Sequence, residues 1–152
     1  MIYQEQFNRK SIAALHTLIE ELNWDKDCLD CLIACMKLLS DFKYNRVYRR
    51  ANAGYLLIHK TRWNQIKYSI IQVRRMKPDE QILQFIKLFN PYCRNLDDVM
   101  ETVFGVPAQA EDDALMVNTS VQFLPEYAGK YPTKGEIKNR LQGIINGYRA
   151  LA

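Results

Sequence analysis

Apolar residues recur at helical spacing over most of this chain, and no other property narrows the fold as far. Ile12, Leu15, Leu18, Ile19 and Leu22 fall at steps of three and four, lining one face of a helix that runs from Ser11 to about Asn23. Asp25 is placed to cap a second helix, in which Leu29, Leu32, Ile33, Met36 and Leu39 carry the same period to about Phe42. The short link between the two predicts an antiparallel helical hairpin. At the other end, Thr133 and Glu136 form an S/T-x-x-E capping box, followed by a stripe of Ile137, Leu141, Ile144, Ile145, Tyr148 and Leu151. Gly143 and Gly147 interrupt that helix at about 1 kcal/mol each relative to alanine, through close packing or through simple tolerance.

The middle of the chain is less regular. Asn52-Ala53-Gly54 marks a break. Beyond it Trp63, Ile66, Ile70 and Val73, with Leu56 one heptad earlier, favour a helix, although Ile66, Tyr68 and Ile70 also alternate as a strand would. Pro78 suits the first position of the next helix, with Asp79 and Glu80 in its first turn and Ile82, Phe85, Ile86 and Phe89 on its buried face. Asn90-Pro91 marks a turn. Asn95 then caps a short helix bearing Leu96, Val99, Met100 and Val103, which Gly105 ends in the left-handed conformation. No helical period spans 106–132. The apolar groups 115–117 and 121–124 flank Asn118-Thr119-Ser120, which predicts a small β-hairpin near residues 115–124. The expected fold is therefore all-α: a compact bundle of about six helices, plus that hairpin, in one helical domain over residues 1–152.

Composition agrees with a globular chain: 48% of its 152 residues are hydrophobic and 25% charged, enough apolar surface for a core. No run approaches the roughly 18 to 20 apolar residues of a membrane span, and Met1 to Lys10 is too polar for a signal peptide, so a cytoplasmic location without a membrane partner is expected. Asn118-Thr119-Ser120 fits the glycosylation pattern, which has no meaning without a secretory route.

Motifs for chemistry are scarce. Cys28, Cys31 and Cys35 share a helical face and Cys93 could complete a four-thiolate site, but Leu29, Leu32 and Ile33 interleave them, and buried cysteine packs as a small hydrophobe. Reduced core thiols and no metal are expected. The two histidines, His16 and His59, lie in different elements without acidic or cysteine partners at ligand spacing. Asp97-Asp98 reads as first-turn helix charge, and Glu111-Asp112-Asp113 as a solvated loop. No glycine-rich phosphate loop is present. The sequence thus points to no catalytic residue, no cofactor and no enzyme.

Charge distribution is the informative feature. Residues 43–77 hold ten basic side chains and no acidic one, leaving 11 basic and 17 acidic residues elsewhere: +10 against −6, concealed in a net charge of +4. Such a block attracts polyanions through phosphate neutralisation and counterion release. The candidate nucleic-acid-binding residues are Arg46, Arg49, Arg50, Lys60, Arg62, Lys67, Arg74 and Arg75. Arg46, Arg49 and Arg50 would share a helical face, and Lys60, Lys67 and Arg74 recur every seven residues beside the stripe from Trp63 to Val73. Tyr48, Tyr55, Trp63 and Tyr68 are candidates for stacking on bases. The expectation is a small DNA- or RNA-binding accessory protein. The alternative is an adaptor or inhibitor that docks the same residues on an acidic protein surface, or that self-associates as a homodimer.

Overall fold

In the computed structural model, which describes residues 9–89 and 93–151, the two leading apolar periods become α1 (Arg9–Leu22) and α2 (Lys26–Ser40). Asn23 turns the chain at φ +53°, a conformation asparagine tolerates. Asp25 then caps α2 by accepting the Asp27 N–H at 2.7 Å. Left-handed Asp41 ends the helix, its N–H reaching Lys37 O at 3.0 Å. From Cys28 onward α2 is buried nearly all round, as the central helix of a core must be. It packs on α6 (Leu96–Phe104) and α7 (Lys134–Leu151), whereas α1 packs on α5 (Pro78–Phe85). The predicted α1–α2 hairpin is therefore not the main pairing, because a short link does not choose among partners for a helix that is apolar on every side.

Residues 43–77 depart most from expectation. Instead of helix, the first part forms a three-stranded antiparallel sheet of two-residue strands: β1 (Val47–Tyr48), β2 (Asn52–Ala53) and β3 (Ile58–His59). Gln81, fully buried on α5, holds this region to the helices: its Oε1 accepts the Tyr55 N–H at 2.8 Å and its Nε2 donates to Tyr44 O at 2.7 Å. Gly54 at φ +95° makes room, since a Cβ there would lie 2.6 Å from Gln81 Oε1. The single helix predicted across Trp63 to Val73 is two, α3 (Lys60–Gln65) and α4 (Ile70–Arg75). Lys67 at φ +67° breaks the helical path, and Ser69 with Gln72 starts α4 by a reciprocal capping box. The three-four spacing survives the break because α3 and α4 bury Trp63 and Val73 in the same core.

Pro78 opens α5 with Asp79 and Glu80 in its first turn. Asn95 caps α6 by accepting the Asp98 N–H at 3.0 Å, and Gly105 ends it at φ +76°. The hairpin predicted near 115–124 is replaced by other structure. Leu115 forms an isolated bridge with Thr133, Asn118 turns at φ +59°, and short 3-10 turns occupy Ser120–Phe123 and Pro125–Tyr127. The Thr133–Glu136 capping box opens α7, whose Ile137, Leu141 and Ile145 are buried. A Cβ on Gly143 or Gly147 would meet nothing within 4 Å, so these glycines are tolerated rather than packed. The predicted turn at Asn90-Pro91 lies outside the described residues, as do the side chains of Ile12, Leu18, Ile19 and Leu151. Among the described residues the fold is mostly helical, with seven α-helices and one small sheet, and no helix is long and apolar enough to cross a membrane.

Candidate nucleic-acid interface

Residues 43–77 gather into one substructure: the sheet, α3 continuing directly from β3, and α4 packed on β2. Its apolar side is anchored in the core by Ala53, Ile58, Trp63 and Val73. Eight of its ten basic residues are exposed, and Arg46 and Arg62 are half-buried. Arg46 serves the fold, its Nη1 donating to Leu39 O near the end of α2 at 2.6 Å. Arg49 and Arg50 are the two central residues of the β1–β2 turn, closed by Ala51 N–H to Tyr48 O at 3.0 Å. They do not share a helical face. Both have positive φ, +48° and +57°, in a geometry that hairpins ordinarily assign to asparagine and glycine. Nor do Lys60, Lys67 and Arg74 form one helical stripe, because they sit on α3, on the left-handed break and on α4. Lys60, Lys67, Arg74 and Arg75 are exposed all the same.

The ion pairs of the described residues all lie elsewhere: Lys37 with Asp41, Asp97 with Lys134 and Lys138, Arg140 with Glu126, and Arg149 with Asp27 and Asp30. None involves the basic segment.

The four candidate stacking aromatics are placed differently from one another. Trp63 is fully buried and donates its Nε1–H to Ala53 O at 3.2 Å, while the Tyr55 ring is buried with its hydroxyl 3.1 Å from Ser11 Oγ. Neither ring can meet a base while the fold stands. Tyr68 is half-buried, edge-on to Trp63. Tyr48, also half-buried, stacks on Phe123 with centroids 4.0 Å apart and planes at 15°, and the Arg49 guanidinium lies 5.2 Å from its ring centroid.

Phe123 belongs to a cleft of about 630 Å³ between the sheet, α3, the end of α6 and residues 118–123. Arg62 lines it, with its Nη2 donating to Leu88 O at 3.3 Å and its guanidinium 4.9 Å from the Phe89 ring centroid. Burial pulls this guanidinium below its ordinary pKa, the mark of a cation short of solvent and counterion. Sequence reasoning named Arg62 only as one basic residue among many. It missed Asn52, Glu101 and Phe123, which become neighbours only through contacts between distant segments and carry no local signal.

The remaining candidates lie outside the basic segment, His59 excepted. Cys28, Cys31, Cys35 and Cys93 are buried, and among the described residues no group of three His, Cys, Asp or Glu side chains is placed to hold a metal ion. Burial pushes the Cys28 thiol up to about 12 and the Cys31 thiol to about 11, and raises Cys35 and Cys93 as well. His16 is exposed, and His59 caps α3 by accepting the Thr61 N–H through Nδ1. Asp98 lies in the first turn of α6 as expected, while Asp97 in addition pairs with Lys134 and Lys138. No family model, curated protein or solved structure matches the chain.

Proposed function

We propose that this protein binds nucleic acid as an accessory factor, through phosphate contacts made by the basic substructure of residues 43–77. One observation carries the reading: among the described residues, every ion pair lies outside this segment, so none of their carboxylates stands at pairing distance from its ten cations. The acidic surplus of the rest of the chain is spent on other partners or on solvent. A block of exposed, unpaired positive charge attracts a polyanion irrespective of its sequence, and gains free energy by releasing the counterions condensed on it. The contacts are to the backbone rather than to base edges, with Arg49, Arg50, Lys60, Lys67, Arg74 and Arg75 as the exposed donors.

The test is a salt titration of binding to mixed-sequence single-stranded and duplex oligonucleotides. Lys60, Arg74 and Arg75 are exposed, so their replacement by glutamine leaves the fold intact by circular dichroism. Losing three phosphate contacts flattens the slope of log affinity against log salt by about 2 to 3 units. Lys130→Gln, exposed and outside the segment, leaves the slope unchanged. Absence of salt-dependent binding by the unmodified protein at low ionic strength would end this reading and leave an acidic protein surface as the partner to seek.

A further inference from the structure

The register of the sheet places Tyr48, Asn52 and His59 opposite one another, Tyr48 against Asn52 and Asn52 against His59, so the three side chains share one face. The cleft opens beside that face, lined by Asn52, His59 and Arg62 together with Glu101, Phe104 and Phe123. Its volume, about 630 Å³, falls within the range of pockets that enclose small organic groups. Three features of its wall match the parts of one nucleotide.

The first is a flat apolar surface. Phe123 lines the cleft while carrying Tyr48 on its ring at 4.0 Å, and Arg49 covers Tyr48 in turn, so a stack of arginine, tyrosine and phenylalanine leads from the basic turn to the cleft wall. An aromatic ring held in this way is a platform for any base, since every base has a π face. The second is an acceptor within the wall. Asn52 is 5% exposed, its Nδ2 donates to Leu57 O at 2.8 Å, and its Oδ1 has no partner among the described residues. That oxygen suits a base amino group. The third is the cation: Arg62 is half-buried, holds one carbonyl and one ring face, and has no carboxylate partner among the described residues. Glu101 does not supply one, since it is engaged with the Ala108 N–H at 2.7 Å and makes no ion pair. A half-buried cation without a counterion is stabilised by an incoming phosphate.

We propose that this cleft receives one unstacked nucleotide, its base against Phe123 and its phosphate at Arg62, so that the nucleic acid bound by the basic segment is single-stranded. The inference rests on the nucleic-acid reading above and adds strand type to it. A base within a duplex is paired and stacked on both sides and enters such a cleft only by leaving the helix, whereas a single strand presents its bases at little cost.

The experiment is fluorescence anisotropy with a mixed-sequence 12-nucleotide strand and with its 12-base-pair duplex, at matched low salt. The single strand binds at least about tenfold more tightly. Phe123→Ala weakens single-strand binding by roughly 5- to 150-fold, the worth of one stacked base, and leaves duplex affinity unchanged. Gln122→Trp, which fills the cleft from a half-buried lining position, gives the same pattern should Phe123→Ala fail to fold. Independently of any substitution, a strand carrying 2-aminopurine changes its fluorescence on binding as the base leaves its neighbours. Equal affinity for strand and duplex, an unchanged strand preference in a folded variant, or a silent 2-aminopurine probe overturns the inference while the polyanion reading stands. Binding to neither oligonucleotide overturns both.

Discussion

Arg49 and Arg50 are two consecutive residues of the basic segment at which charge and backbone conformation oppose each other, and replacing them with asparagine and glycine separates the two. An ordinary side chain in the left-handed region costs about 1–2 kcal/mol, and two consecutive residues hold φ of +48° and +57°. Arg49→Asn with Arg50→Gly relieves about 2–4 kcal/mol of that strain. Two terms work against the gain: the extra unfolded-state freedom of glycine, about 0.5–1 kcal/mol, and the loss of the exposed Arg49–Tyr48 cation–π contact, also about 0.5–1 kcal/mol. The double variant is therefore more stable by about 1–2 kcal/mol. For a domain of this size that raises the melting temperature by about 2–8 °C, measured by circular dichroism or calorimetry. Binding moves the other way. Two phosphate contacts disappear, and the slope of log affinity against log salt falls by about 1.4–1.8. A variant less stable than the parent would refute the strain argument. A variant that is more stable but keeps the full salt slope would show that the turn carries its arginines for a reason unrelated to polyanions.

Three further outcomes follow from the geometry. Lys134 is 1% exposed, with its ammonium donating to the main-chain oxygens of Pro107, Ala108 and Ala110 and pairing with Asp97, so Lys134→Met costs about 3–5 kcal/mol by urea unfolding, whereas half-exposed Lys138→Met costs less than about 1 kcal/mol. Burial works to raise the Asp97 carboxyl, but hydrogen bonds from Lys134 and Lys138 outweigh it and hold the group below its ordinary value of 3.8. Its contribution is thus fully present above about pH 4 and is lost as pH falls through the lower folded value, a loss that shrinks in Lys134→Met. Gly54→Ala pushes a Cβ into Gln81 Oε1 at positive φ, breaking the hydrogen bonds to Tyr55 and Tyr44, and destabilises the fold by about 3 kcal/mol or more by the same assay. Cys28, Cys31 and Cys35 resist iodoacetamide at pH 8 in the folded protein and react in denaturant, and chelators leave the melting temperature unchanged; rapid native labelling or a chelator-induced loss of fold would overturn the packing role.

What could be read from the sequence was what short-range chemistry decides. Asp25, Pro78, Asn95, Gly105 and Thr133 lie at the helix ends where they were expected, because a cap is a contract between residues two to four positions apart. The β-structure of residues 47–59 was not legible for the complementary reason. Strands of two residues have no period to detect, and the sheet persists through Gln81, 26 positions beyond Tyr55 and 37 beyond Tyr44. The expected hairpin near 115–124 failed in the same way. Two short apolar groups flanking Asn118-Thr119-Ser120 announce a hairpin, but Leu115 pairs with Thr133, on the far side of the 3-10 turns.

The site divides along the same line. Charge is additive and needs no fold, so the imbalance of residues 43–77 is visible in composition alone, whereas the position of every ion pair of the described residues outside that segment is a property of the folded chain. Periodicity misled only about which cations share a face, since a helix was assumed where positive φ at Arg49, Arg50 and Lys67 forbids one. Aromatic content misled further. Trp63 and Tyr55 looked equivalent to Tyr48 as stacking candidates, but an aromatic ring near basic residues serves the core or the surface according to which face of its element it occupies. The cleft could not be inferred at all, for Arg62, Glu101 and Phe123 come from α3, α6 and the 3-10 turn at Ser120–Phe123, three elements that only the packed core brings to one wall. A basic block read from composition therefore argues for a polyanion of any kind. The proposal of a single strand over a duplex rests on a feature that composition does not contain, an aromatic-walled cleft beside a cation with no carboxylate partner among the described residues.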